Sequence, residues 1–216
     1  MLLFKTYFGL AGTALITIGL SSSASAHPHV FVEARSEVVL AAGAVVAIRH
    51  VWRFDQSFSL YAAEQLDVDR DGVLSNDELE ALAKLNIESL AEYDFFTFLD
   101  SLPAAVEPPT EYGLSFQDEQ LTLIFTLALS APRPVGEAVS IEVYDPEFYV
   151  DFEYVDDDPV AISGDIAGCS AEFRGPAALD PLVQARIAEV PMDQVVPPDL
   201  LAAAVDLANT ITVRCS

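Results

Sequence analysis

"VFVEARSEVVLAAGAVVAIRHVWRF", residues 30–54, alternates apolar and polar side chains with a period of two. Val30, Val32, Ala34, Val38 and Leu40 share one face, while Glu33, Arg35 and Glu37 share the other. Successive side chains of a strand point to opposite faces, so this is the pattern of a half-buried strand. Gly43 punctuates the run, and a second strand follows. Its Val46, Ile48, His50, Trp52 and Phe54 face one way, with Arg49 and Arg53 opposite.

Beyond residue 54 the period lengthens. Phe58, Tyr61, Ala62 and Leu66 fall at helical spacing, and so do Leu79, Leu82, Ala83, Leu90 and Tyr93. Ser75 and Glu78 form an S-x-x-E capping box that starts the second of these helices. From residue 95 the period returns to two: "FFTFL" (95–99) reads as a strand, and "EYGLSFQDEQLTLIFTLAL" (111–129) as a hairpin turning at Gln117 to Gln120. "VSIEVYDPEFYVDFEYV" (139–155) holds two short strands around Asp145-Pro146. Residues 177–208 read as two short helices, and "ITVRC" (211–215) as a closing strand. The expected fold is mainly β (α+β): an antiparallel β-sandwich with a helix-loop-helix insertion at about 55–94 and short C-terminal helices.

The helices flank "DVDRDGVLSNDE", residues 67–78. Numbered from Asp67, the loop carries Asp67, Asp69 and Asp71 at positions 1, 3 and 5, Gly72 at 6, Ser75 at 9 and Glu78 at 12. That is the spacing of the twelve-residue EF-hand calcium loop. Ca²⁺ is a hard cation that takes six to eight oxygens, and alternate residues aim short carboxylates into one tight curve. Gly72 permits the sharp turn. Val73 offers its carbonyl, Ser75 its hydroxyl, and Glu78 both carboxylate oxygens. The resemblance to EF-hands covers about residues 58–90, and no second loop follows. A lone loop suits a structural site better than a switch.

The first residues resemble an export signal. Lys5 is followed by an uncharged apolar run, "TYFGLAGTALITIGL", and by the small residues "SSSASA". This reads as a secretory signal peptide, residues 1–26, cleaved after Ala26. The expected mature chain is a single domain, 27–216, periplasmic or secreted and not inserted in the membrane. The run is shorter than the ~20 residues a spanning helix needs. Processing would expose "HPHVF", placing a free amine and the His27 imidazole beside His29. That donor set suits Zn²⁺, Ni²⁺ or Cu²⁺. His50, on an apolar face with Trp52, reads as a core histidine. The two cysteines, Cys169 and Cys215, allow one intramolecular disulfide, the default in an oxidising compartment.

The chain carries 34 acidic against 10 basic residues, a formal net charge of -24. Phosphate backbones and anionic membranes would be repelled, so no nucleic-acid partner is expected; cations are favoured. No G-x-S-x-G, zinc-protease, P-loop or dinucleotide motif is present. No catalytic residue is therefore assigned. A copper enzyme using His27, a hydrolase and a purely structural adaptor are the alternatives to a binding module.

"HPHVF" (27–31), "VWRFDQSFS" (51–59), the aspartate loop, "YDFFTF" (93–98) and "YDPEFYV" (144–150) occur in that order. Together they resemble the uncharacterised exported bacterial family DUF1007. The resemblance implies the label of an ABC-type transport system periplasmic component. It also implies an accessory role beside a membrane transporter of nickel or cobalt type. The chain shows no two-lobed α/β pattern of the kind usual in solute-binding proteins, and it is short for one.

Overall fold

The computed structural model describes residues 28–191 and 194–216. The signal peptide expected at 1–26 and His27 lie outside the described residues. The first two strands are β1 (Val30–Ala41) and β2 (Ala44–Phe54). They pair antiparallel across a tight turn in which Ala42 and Gly43 both take positive φ. That turn matches the right-handed twist of the flanking strands. Between β2 and β3 stand α1 (Gln56–Leu66) and α2 (Asn76–Leu90). Eight strands follow before the end of the chain's sheets: β3 (Thr97–Leu99), β4 (Leu102–Pro103), β5 (Tyr112–Gln117), β6 (Gln120–Pro134), β7 (Val139–Val143), β8 (Val150–Tyr154), β9 (Val160–Gly164) and β10 (Cys169–Arg174). Helices α3 (Pro181–Ala188) and α4 (Pro198–Leu201) precede the last strand, β11 (Asn209–Cys215).

The strands form two sheets. One runs β5-β6-β2-β1-β8, with β9 also on β1; the other runs β10-β11-β7-β3-β4. Most pairs are antiparallel, as the alternation predicts. The exception is β1, which pairs parallel with β8 along its first half and with β9 along its second. Gly164 makes the β9 end of this ladder possible. A Cβ there would meet the Leu40 carbonyl oxygen at 2.2 Å, and φ is +81°.

The inner faces meet in two apolar clusters. Trp52, 1% exposed, stands at the centre of one, with Phe125 and Phe152 each 4.8 Å away between ring centres. Val38, Ile48, Ile141 and Ile211 anchor the other. A third, smaller cluster lies under the C-terminal helices around Phe148, Ile187 and Leu200. Asn209 on β11 donates to the carbonyls of Phe152 (2.8 Å) and Val143 (3.4 Å), tying β11 to a strand of the other sheet.

The structure departs from the sequence expectations at three places. Val46 is skipped in the β1–β2 register, which pairs Val39 with Ala47 and Leu40 with Val45. This bulge buries Val45 completely and leaves Val46 half-buried, reversing the expected face. Tyr61 and Tyr93, expected on the apolar helix stripes, are 67% and 46% exposed. Ser59 and Ile87 point inward on those helices instead. Finally, "FFTFL" is a strand only from Thr97. Asp94, Phe95 and Phe96 take φ of 53°, 52° and 50° in a left-handed turn that drives both phenylalanines into the core. Burial of two aromatic rings outweighs the local backbone cost.

The helix pair packs on the sandwich through particular groups. Asp55 caps α1 by accepting the Phe58 N–H at 2.9 Å, and its other oxygen accepts the Phe31 N–H at 3.1 Å. The buried Ser59 hydroxyl accepts the Leu121 N–H of β6 at 3.0 Å. Ala83 and Ile87 are the buried face of α2, beside β5. The edge strand β5 thus covers the apolar side of α2.

Candidate metal centre

Each carboxylate of the aspartate loop is held by main-chain donors. Asp67 accepts the N–H groups of Asp71 (3.0 Å) and Gly72 (2.8 Å). Asp69 accepts the Asp71 N–H at 3.2 Å, and Asp71 accepts the Val73 N–H at 2.8 Å. Gly72 has φ +79°, which an L side chain rarely adopts, so glycine suits this position. One oxygen from each of Asp67, Asp69 and Asp71 lies within 4.8 Å of the others. This is the group of three or more potential ligands found among the described residues.

Glu78 lies outside that trio. Its Oε2 accepts from the Ser75 N–H (2.9 Å) and hydroxyl (2.7 Å), and its Oε1 accepts from the Val68 N–H (2.9 Å). The Ser75 hydroxyl in turn accepts the Glu78 N–H at 3.3 Å, completing the capping box. These hydrogen bonds from Ser75, then Val68, hold the Glu78 carboxyl below its ordinary value. Asp69 goes the other way. The Asp71 N–H alone would lower it, but the Asp71 charge leads a set of opposing effects, including Asp67 and Glu78, that leave it raised. Val73 is 65% exposed beside the trio.

His29 sits just before β1 and is half-buried. Its N–H donates to the Tyr149 carbonyl at 2.8 Å, and its ring stacks on Tyr149 with centres 4.6 Å apart. Tyr149 also donates its own N–H to Asp145, at 2.9 Å. Asp145 is 4% exposed and further accepts the N–H groups of Val150 (2.8 Å) and Glu147 (2.8 Å). Sequence reading did not connect Asp145 or Tyr149 with His29. The Asp-Pro turn was visible, but its parallel placement beside β1 was not.

His50 lies far from this end, opposite Ser36 in the β1–β2 register. It is fully buried, and burial lowers its pKa from 6.5 to about 3. Thr97 Oγ1 donates to the Phe95 carbonyl at 2.8 Å, so toward His50 it acts as an acceptor. The neutral ring therefore donates from Nε2 to Thr97 (3.2 Å) and accepts at Nδ1 from Ser36 Oγ (2.9 Å). Ser36 in turn accepts the Tyr154 O–H at 2.6 Å. Burial pushes the Tyr154 hydroxyl up, with the Ser36 hydrogen bond opposing. His50 is thus a satisfied core residue linking the two sheets.

Cys169 and Cys215 form a disulfide with an S–S distance of 2.05 Å. They stand directly opposite one another on β10 and β11. No helix among the described residues is long and apolar enough to cross a membrane.

The fold and site define a two-sheet, mainly β protein with a helix-loop-helix unit and a three-aspartate loop. The chain belongs to the DUF1007 family, described as a protein of unknown function, whose profile matches residues 12–215. It is 23% identical over 216 residues to an uncharacterized protein of Haemophilus influenzae, covering 98% of this chain and 99% of that one. It is also 26% identical over 98 residues to an uncharacterized 15.5 kDa protein in the trpE 3' region of Spirochaeta aurantia, covering 44% of this chain and 70% of that one.

Proposed function

We propose that this protein is an exported calcium-binding module that assists transition-metal handling, with a membrane metal transporter as its partner. The observation that carries the calcium reading is the convergence of Asp67, Asp69 and Asp71 within 4.8 Å. Three anionic groups so close repel one another, as the raised Asp69 carboxyl reflects. A dication relieves that repulsion and takes the oxygens as ligands. Glu78, at the start of α2 and already turned back toward Val68, supplies the closing ligand of an EF-hand loop. Val73 and Ser75 complete it. The lone loop makes the ion a structural pin between α1 and α2.

The transition-metal reading rests on His27 and His29. His29 is held against Tyr149, which gives the segment a defined seat at the start of the sandwich. The net charge of -24 attracts cations to the whole surface, while the imidazoles supply preference for Zn²⁺, Ni²⁺ or Cu²⁺.

Calorimetry and thermal melting with Ca²⁺ test the first reading. At 1 mM free ion and a dissociation constant of ~0.1 mM, one site stabilises by about 1.4 kcal/mol. For a chain of this size that raises Tm by about 3–6 °C. No heat and no stabilisation at millimolar Ca²⁺ would leave the loop as an acidic turn.

A further inference from the structure

The outer face of the first sheet carries a groove of about 520 Å³, a volume in the range of small-molecule sites, and none of its lining residues belongs to the aspartate loop. Its floor is the outward row of side chains where β2, β1 and β8 lie side by side. Arg53 stands opposite Glu33, and Glu33 opposite Glu153. One step along, Phe31 stands opposite Asp151. Arg35 is two residues on from Glu33 and faces the same way, so Arg35 and Arg53 start from diagonal positions about 7–8 Å apart. Charge pairing stops at this groove. Elsewhere Arg49, Lys84, Arg133, Arg186 and Arg214 each form an ion pair with a carboxylate. Arg53 is half-buried and faces Glu33, yet its guanidinium has no hydrogen-bond or ion-pair partner among the described residues. Arg35 gives one N–H to the Asp158 carbonyl at 3.2 Å and pairs with no carboxylate among the described residues. Acidic residues number 34 in this chain, so geometry rather than a shortage of anions leaves the two guanidiniums open. Beyond Glu33 the opposite imbalance holds. The Asp151 carboxyl is raised, first by its shielding from water and then by the charge of Glu153.

We propose that this groove binds a small zwitterion with excess positive charge, a basic amino acid or short peptide, whose carboxylate is clamped by Arg35 and Arg53 and whose ammonium group rests on Asp151 and Glu153. A guanidinium presents a planar fork that matches a carboxylate with two parallel hydrogen bonds. Six carboxylate side chains line the groove against two guanidiniums, so a simple anion is repelled by the surrounding field. A simple cation, in turn, leaves both arginines unanswered. A molecule carrying both charges, with the positive in excess, satisfies the two ends at once. From β2 to β8 is two strand spacings, about 9–10 Å. An extended dipeptide spans about 7 Å, and the long arginine side chains close the difference. Phe31, 51% exposed, gives the aliphatic stem of such a ligand an apolar wall.

The test is an NMR titration of the isotope-labelled protein with Ca²⁺ held constant, following the arginine Nε–Hε signals and the backbone amides. The probes are glycyl-lysine, its C-terminal amide, spermidine and inorganic phosphate. Glycyl-lysine should shift the Arg35 and Arg53 signals and the amides of β1, β2 and β8 saturably. Its amide, which lacks the carboxylate, should bind about tenfold more weakly, as should glycyl-lysine to Arg53→Gln. Glu153→Gln should weaken binding as well. Arg49→Gln, further along the same face and paired with Glu37, should match wild type. The acid and the amide are compared on wild type, so that arm holds even where a substitution perturbs the sheet. No saturable shift with millimolar glycyl-lysine overturns the proposal. So does binding of spermidine or the amide as tight as that of glycyl-lysine, which would leave the groove an acidic surface only. Phosphate bound as tightly as glycyl-lysine would show a simple anion site and overturns the zwitterion assignment.

Discussion

Acidification should destabilise this protein through His50 by an amount that can be separated from every other titrating group. In the unfolded chain the ring has its ordinary value of 6.5, and in the fold burial lowers it to about 3. Below pH 6.5 the unfolded state therefore binds a proton that the folded state refuses. The contribution is fully present above pH 6.5, is lost as pH falls, and is exhausted near pH 3. Each pKa unit is worth about 1.4 kcal/mol, so the loss is about 2 kcal/mol at pH 5 and about 5 kcal/mol in the limit. The neighbours do not soften it. Ser36, Thr97 and, through Ser36, Tyr154 are neutral, and the Trp52 and Phe125 rings stand 5.4 and 5.2 Å away. The assay is urea unfolding of wild type and His50→Gln at pH 7 and pH 5, with Ca²⁺ held constant. Gln keeps a donor and an acceptor for Thr97 and Ser36 but does not titrate. All other groups cancel in the difference, which should shift by about 2 kcal/mol against wild type between the two pH values. A difference that does not change with pH, or an NMR titration of His50 near 6.5, would refute a buried neutral imidazole.

Three further outcomes follow from particular contacts. Glu78→Gln should weaken Ca²⁺ binding by at least about tenfold in calorimetry, because an anionic oxygen is replaced by a neutral amide; unchanged affinity would mean that Glu78 serves only as the cap of α2. Reducing Cys169–Cys215 should lower stability by about 3–4 kcal/mol on the chain-entropy account, measured by denaturant unfolding with and without reductant. Gly164→Ala should cost more than about 2 kcal/mol, because the added methyl would lie 2.2 Å from the Leu40 carbonyl oxygen at a φ of +81°; a variant as stable as wild type would contradict the close pairing of β9 with β1.

Local patterns determined a good deal of this protein. The alternation in residues 30–54, the hairpin turn between Gln117 and Gln120 and the capping box at Ser75 are each written in a few consecutive residues. Strand period, turn chemistry and helix caps depend on near neighbours, so they survive translation into structure. The same holds for Asp67, Asp69 and Asp71, whose convergence needs only five residues and the glycine after them. With two cysteines, the disulfide had one intramolecular pairing to choose.

Apart from the disulfide, what the tertiary structure decided was the pairing of distant segments. Nothing in β1 announces that β8 and β9 will join it in parallel rather than antiparallel. The bulge at Val46 interrupts the register of β2 with both β1 and β6, and Val45 lies in the core. Tyr61 and Tyr93 fell on helical stripes by spacing, but the fold leaves both exposed, Tyr93 in the turn beyond the end of α2. His50 looked like a core histidine, yet its partners Ser36, Thr97 and Tyr154 come from three other strands. Likewise, His29 meets Tyr149 and the Asp145 turn only through the parallel β1–β8 register. Side-chain period carries the direction a residue faces, whereas the identity of the residue it meets is set by the packing of whole sheets.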